Sequence, residues 1–432
     1  MSLKYHFFTR VMIKKIILSV ILISTFSFST SKEEIANKIK EIISNLPSNS
    51  ASGILIYNPL TQDTIFSLNQ YSPMTPASLT KIFTTAISLS LMGSEHKLST
   101  KIFVEDLDIS DGSIDGNLYI KGFGNSTFSD SDLQELIDRL KQRSIHTITG
   151  DIIGDDSFFD DIYTRSDWIE DEGANIQLPP VSALVLERNK ITTRKKVRRR
   201  YRYVTELIKN PPIFVANRLL EKLKSNGIEV TGTALSGVTP VKSYVIAEKS
   251  ILLKDLIALV NKHSDNFFAE CLFKTLGAES SKVQGNSFFS QQAIQKFMKE
   301  NGIFSQNTEI VDGSGISRSD QVTPSALNGV LEKMYFDLNH YDDFYNSLSI
   351  AGVDGTLGNR MMGTYAENNF RGKTGSLNGV SGLAGYLTLK NGDDLIITIM
   401  FEYSKGGWGY YRDIQDQIVI LLADWEIESS DQ

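Results

Sequence analysis

The sequence predicts an α/β (α+β) fold: one antiparallel sheet flanked by helices, built from both ends of the chain, with a large β-rich insertion between them. Three observations carry this. Helix-spaced apolar residues recur towards both termini. Hairpin signals join strand-like runs at residues 53–69 and 379–403. From about residue 97 to 245, short β-like runs and turns predominate. The expected division is a secretory signal peptide at 1–31, one unit made of 32–96 and 246–432, and an inserted β-rich domain or pair of subdomains at 97–245.

The first thirty residues differ from the rest. Lys14 and Lys15 precede the apolar run IILSVILISTFSFS, which ends in small residues, so cleavage is expected near Ser29 or Ser31. Met12 could serve as the start, since the stretch from it already has the basic and apolar regions. The run is short for a membrane span, which needs about 20 apolar residues, so the expectation is export and a location outside the inner membrane. Removing 1–29 takes away Lys4, Arg10, Lys14 and Lys15 and no acid, moving the net charge from −7 to −11. That balance argues against general nucleic-acid binding. With Cys271 as the single cysteine, no internal disulfide can form. The five histidines are scattered, without metallopeptidase spacing, and nothing calls for a metal or cofactor.

The elements follow in order. Ile35, Ile39, Ile42 and Ile43 mark a helix over 31–46, and GILIYN and TIFSLN flank PLTQD as a strand hairpin. Leu79, Ile82, Phe83, Ala86 and Ile87 then recur at helical spacing, predicting a helix buried on one side and ending near Gly93. Thr75-Pro76 reads as its start, with Thr75 as cap and Ser78 at the third helical position, where its N–H lacks an intrahelical partner. Within the insertion, helices are expected at 131–144 and 213–227. The run RKKVRRRYR (194–202) has seven basic residues in nine. Such a run is usually a solvated face, and contact from Arg194 to Arg202 with an anionic surface is the functional alternative. Past 245, two helices break near 262–266, another opens at Thr323-Pro324, two strands join through Asn391-Gly392, and a last amphipathic helix covers 411–427.

The chemistry lies in three short motifs. Ser78 and Lys81 are three apart on a helix, so the lysine can reach the hydroxyl and, if desolvated, take its proton. Ser264 and Asn266 bring a second hydroxyl and an amide to a helix break. Lys373, Thr374 and Gly375 bring a cation, a hydroxyl and a flexible position to a strand, followed by Ser376. Alone, each is weak: Ser29–Lys32, Ser67–Asn69 and Ser376–Asn378 match the first two by chance. Lys-Thr-Gly occurs once, and the three come in the order helix, helix break, strand.

This set resembles that of penicillin-binding proteins and serine β-lactamases. The stretches GDIIGDDSFFD, VSALVLERN, VDGSGISRSDQVTP and AGVDGTLGNR resemble the low-molecular-mass class C penicillin-binding proteins, the D-alanyl-D-alanine carboxypeptidase/endopeptidases of peptidase family S13. The similarity spans roughly residues 35–425, including a long insertion between the first two motifs. It implies the transpeptidase-like fold, no cofactor, peptidoglycan stem peptides and cross-links as substrates, and β-lactams as covalent inhibitors. It implies Ser78 as nucleophile, Lys81 as base, Ser264 as proton relay, and Asn266 as a partner of Lys81 or substrate. Lys373 and Thr374 would bind the terminal carboxylate. Backbone N–H groups of Ser78 and Ser376 would form the oxyanion hole.

One departure stands out. The family's usual GDPTL is GNSTF here, so Asn125 replaces the acid expected to meet the substrate's distal amine, and Asp130 is a substitute candidate. Arg360 is a candidate substrate contact or an exposed salt bridge. Asp312, Gly313 and Gly315 read as shaping a turn, His263 as helix packing, and Cys271 as a buried apolar filler. A β-lactamase or esterase on the same fold is the first alternative, against which Ser-Asp-Asn stands where those enzymes carry Tyr-x-Asn. A non-catalytic wall-binding protein is the second.

Overall fold

The computed structural model describes residues 31–109, 111–168, 178–197 and 200–425. The basic and apolar runs of the expected signal peptide lie outside these. Among the described residues no helix is long and apolar enough to cross a membrane.

The main sheet has six antiparallel strands in the order Ser349–Ile350, Arg371–Leu377, Val380–Thr388, Asp394–Glu402, Ala51–Asn58, Asp63–Leu68. Its strands come from both ends of the chain, as the hairpin signals predict. Gly392 takes φ +92° in the turn after Asn391, a conformation that glycine adopts without steric cost.

Alternation along the strands sorts the two cores. Leu395, Ile397, Ile399 and Phe401 face the helices Lys32–Ser44 and Trp408–Ala423. Ile396 and Met400 face the other way, onto the Thr80–Met92, Leu253–His263, Asn266–Ser281, Ser287–Glu300 and Pro324–Tyr335 helices. Ser31 caps the first helix and Thr323 caps the helix that opens with Pro324.

Thr80–Met92 departs from a one-sided helix. Every residue from Thr80 to Leu89 is buried, because helices surround the face away from the sheet. Thr84 and Thr85 donate to Gly313 O and Lys81 O instead of water.

The inserted segment carries a mixed five-stranded sheet, ordered Ala234–Ser236, Ile152–Asp155, Leu118–Phe123, Lys97–Val104, Tyr244–Leu252. The helices Asp130–Gln142 and Pro211–Ser225 cover it with their own apolar cluster. Tyr244–Leu252 pairs with Lys97–Val104 along its length, so this sheet runs to Leu252, beyond the change of composition at 245. The basic run falls on a two-stranded ribbon, Lys190–Val197 against Arg200–Leu207. Tyr203 there is 77% exposed, and Arg194 lies 4.3 Å from the Tyr201 ring centroid.

Candidate active site

Ser78 lies on a 3-10 turn, Ala77–Leu79, that precedes the helix proper. Thr75 is not its cap. The Thr75 N–H donates to Glu402 Oε1 at 2.7 Å, and its hydroxyl accepts from Gln321, so main-sheet and loop contacts have taken over the local signal. Ala77 has φ +48°, in the left-handed region that costs a residue with Cβ about 1–2 kcal/mol. The turn is gripped from both sides. A Cβ on Gly315 would sit 1.8 Å from Ala77 O, and one on Gly375 would sit 2.6 Å from Pro76 O. Between Met74 and Leu89, Ser78 alone is not buried.

Lys81 is fully buried, one turn on. Its Nζ donates to Ser78 Oγ at 2.8 Å, Asn266 Oδ1 at 2.7 Å and Ser314 O at 2.6 Å. Burial pulls its pKa down to about 8, although the carboxylates of Asp312, Glu270, Asp265 and Asp320 oppose the shift. Lys373, also fully buried, donates to Ser264 Oγ at 2.7 Å and Thr374 O at 2.9 Å. Burial first and the Lys81 charge second hold it well below the ordinary lysine range. The two amines are unequal, since acids surround Lys81 and a second cation is what Lys373 faces.

Ser264 ends the Leu253–His263 helix in a left-handed conformation, φ +54°. This breaks the helix and lets Asp265 cap the next one through Phe268 N. Asn266, its first residue, thereby faces Lys81. His263, expected to pack, is exposed, while Cys271 is buried among Phe159, Trp168 and Phe267. Thr374 Oγ1 donates to Thr356 Oγ1 at 2.9 Å, and Ser376 is exposed, with Arg412 Nη2 at 3.4 Å from its Oγ.

The 311–320 loop supplies a contact that the motifs do not reveal, the Ser314 carbonyl on Lys81. Asp312 shapes this loop, accepting from the N–H groups of Ser314, Gly315 and Ser317 and from Trp168 Nε1. Burial and the Asp312 charge raise Glu270 to about 8 and push Asp320 well above its usual range. The inserted segment buttresses the same region. Arg165 donates to Val311 O, Ser317 donates to Asp167, and Arg188 forks onto Asp265 at 2.7 and 3.0 Å.

Asn125 and Arg360 are not brought into this cluster. Asn125 is buried in the insertion, where its amide donates to Lys249 O and accepts from Thr127. Arg360 is 9% exposed and bonds Asp416 and Gln415 of the last helix, so it is neither an exposed salt bridge nor a contact of the Ser78 cluster. Asp130 is occupied by Arg218 and Lys222, each at 2.8 Å. Thr356 and Arg412 are the side chains that sequence reasoning passed over. Thr356 lies in the quoted stretch AGVDGTLGNR, but nothing in the spacing of the last helix singles out Arg412.

A desolvated lysine amine bonded to a partly exposed serine hydroxyl, on a helix packed beneath an antiparallel sheet, is an arrangement suited to a serine hydrolase. The chain belongs to the D-Ala-D-Ala carboxypeptidase 3 (S13) family, whose profile matches residues 35–200 and 197–425. It is 25% identical to a D-alanyl-D-alanine carboxypeptidase from Actinomadura sp. (strain R39), over 87% of this chain and 82% of that one. Its fold is that of penicillin binding protein 4 from Haemophilus influenzae, with a TM-score of 0.77, 22% identity, and 88% of this chain and 99% of that chain covered. A predatory peptidoglycan endopeptidase from Bdellovibrio bacteriovorus aligns with a TM-score of 0.54 and 16% identity, over 87% of this chain and 94% of that one.

Proposed function

We propose that Ser78, Lys81, Ser264, Asn266 and Lys373 are the catalytic centre of a serine-type D,D-peptidase acting on peptidoglycan. Lys81 takes the Ser78 proton as Oγ attacks the carbonyl of the penultimate D-alanine. The bond to the terminal D-alanine breaks, and Ser264, held by Lys373, passes a proton to the leaving amine. Water then hydrolyses the acyl-enzyme. Asn266 fixes the Lys81 amine, Lys373 and Thr374 receive the substrate's terminal carboxylate, and the backbone N–H groups of Ser78 and Ser376 receive the oxyanion. Arrival of that carboxylate favours a charged Lys373, and the new charge favours a neutral, basic Lys81. The same steps on a D-alanyl cross-link give endopeptidase activity, and β-lactams trap Ser78 as a stable acyl-enzyme. The observation that carries this reading is the 2.8 Å contact between the Ser78 hydroxyl and a fully buried Lys81.

Two assays test it together: mass mapping of a penicillin adduct, and digestion of monomeric and cross-linked muropeptides. Expected are an adduct on the peptide bearing Ser78 and release of D-alanine or separation of cross-links. An adduct elsewhere, or none on folded protein, sinks the reading. Hydrolysis of the penicillin adduct within seconds would favour a β-lactamase.

Residues 32–96 and 246–432 form the peptidase unit in this reading, around the 97–245 insertion, and residues 1–31 direct export to the periplasm. The exposed ribbon with Arg194, Lys195, Lys196, Arg200 and Arg202 makes weak contact with an anionic surface. Binding to vesicles containing anionic lipid should fall steeply between low and physiological salt and vanish when these five become glutamine. Salt-independent binding would refute this role.

A further inference from the structure

A cleft of about 570 Å3 opens on the side of the main sheet remote from Lys373, between the Ala51–Asn58 strand, the Pro324–Tyr335 helix and the turn at 301–304. Three strand spacings, roughly 14 Å, separate the Ala51–Asn58 strand from the Arg371–Leu377 strand. Asn328 lines this cleft and is 4% exposed. Among the described residues neither its Nδ2 nor its Oδ1 has a hydrogen-bond partner. An unpaired buried polar group costs about 1–3 kcal/mol, which an apolar residue of the same shape would avoid. Such a side chain is explained if a ligand completes it.

The surroundings define the ligand's chemistry. A primary amide offers a donor and an acceptor side by side, the complement of the C=O and N–H of a secondary amide. Tyr71, 53% exposed, stands 4.8 Å from Phe304 between ring centroids, and Phe336, 52% exposed, borders the same cleft. Open aromatic faces suit the C–H face of a sugar ring. Tyr57 offers a hydroxyl: burial and the Glu332 carboxylate push it up to about 12, so it stays protonated. The walls are built closely. A Cβ on Gly329 would lie 2.7 Å from Ile303 Cγ2, so the 301–304 turn rests directly on the helix.

We infer that this cleft is a glycan subsite, in which Asn328 pairs with the acetamido group of an N-acetylated amino sugar held against Tyr71 and Phe336. The inference rests on the proposed action on peptidoglycan, whose glycan strands carry such sugars. It places a second hold on the polymer at a distance from the peptide-cleaving centre.

The test is saturation-transfer NMR on the full mature chain with N,N′-diacetylchitobiose, its de-N-acetylated counterpart, and N-acetyl-D-alanyl-D-alanine. The acetyl methyl of the first should receive saturation from wild type, and the de-N-acetylated sugar should bind at least tenfold more weakly. Asn328→Leu should lose the sugar at least tenfold while its thermal midpoint holds or rises. The exposed Tyr71→Ala, which leaves the core untouched, should weaken binding several-fold. Sugar binding unchanged in both variants overturns the inference, as does no binding by wild type at millimolar sugar. So does a dipeptide that binds Asn328-dependently where the sugar does not. Penicillin labelling of Ser78 in the same samples reports separately on the peptidase reading.

Discussion

Lys81→Met is expected to slow penicillin acylation by roughly 10²–10⁴-fold, the range for losing a general base, with the fold retained. Methionine is the informative replacement because Lys81 is fully buried and spans three acceptors. Alanine would leave a cavity as well as unpaired groups, confounding chemistry with packing. The wild-type rate constant should climb with pH through about 8, as the Lys81 amine loses its proton, and the variant should lack this rise. The stability consequence has a definite sign. Lys81 has a folded pKa below its ordinary value, so it lowers stability most at pH values under about 8, and that cost fades towards 10.5. Any stability gained by Lys81→Met should therefore shrink as pH rises. Stopped-flow labelling with a fluorescent penicillin from pH 6 to 10, with denaturant curves at each end, checks both. An undiminished acylation rate in the variant would remove Lys81 as the base.

Gly315→Ala should slow acylation on the order of 10²-fold, the cost of misplacing a reacting group by about 1 Å. Two effects add. Alanine at φ +79° is strained, and its Cβ would fall 1.8 Å from Ala77 O, so the Ser78 turn must move. Each contributes roughly 1–3 kcal/mol of destabilisation. Gly227→Ala separates them: Gly227 has φ +81°, but nothing lies within 4 Å of its Cβ position. That variant should show the strain alone and acylate normally. Chemical denaturation and adduct formation on all three proteins decide the matter. A Gly315→Ala protein that acylates at the wild-type rate would mean that the loop does not hold the nucleophile.

Much of this was legible in sequence because it is local. The hairpin at Asn391-Gly392, the Thr323-Pro324 helix start and the break at Ser264 each depend on the conformational preferences of a few adjacent residues. Motif order along the chain likewise singled out five side chains that the structure brings together. The errors arose where distant segments compete with local preference. Thr75 has a cap residue's chemistry, yet its hydroxyl accepts from Gln321. The helix bearing Lys81 has a one-sided apolar pattern, yet neighbouring helices bury every residue from Thr80 to Leu89. Arg360 has a ligand-binding residue's chemistry, yet Asp416 holds it.

The sequence by itself determined the fold class, the family and the closeness of Ser78 to Lys81, because periodicity and short motifs survive without knowledge of contacts. Only the tertiary structure decided what lowers the lysine's pKa. Its dry site is assembled from the helix that bears it, the Asn266 helix, the Ser314 carbonyl and the Lys373 strand, with the inserted segment bracing two of these through Trp168 and Arg188. Desolvation is a property of everything packed around a group, and no stretch of neighbouring residues encodes it.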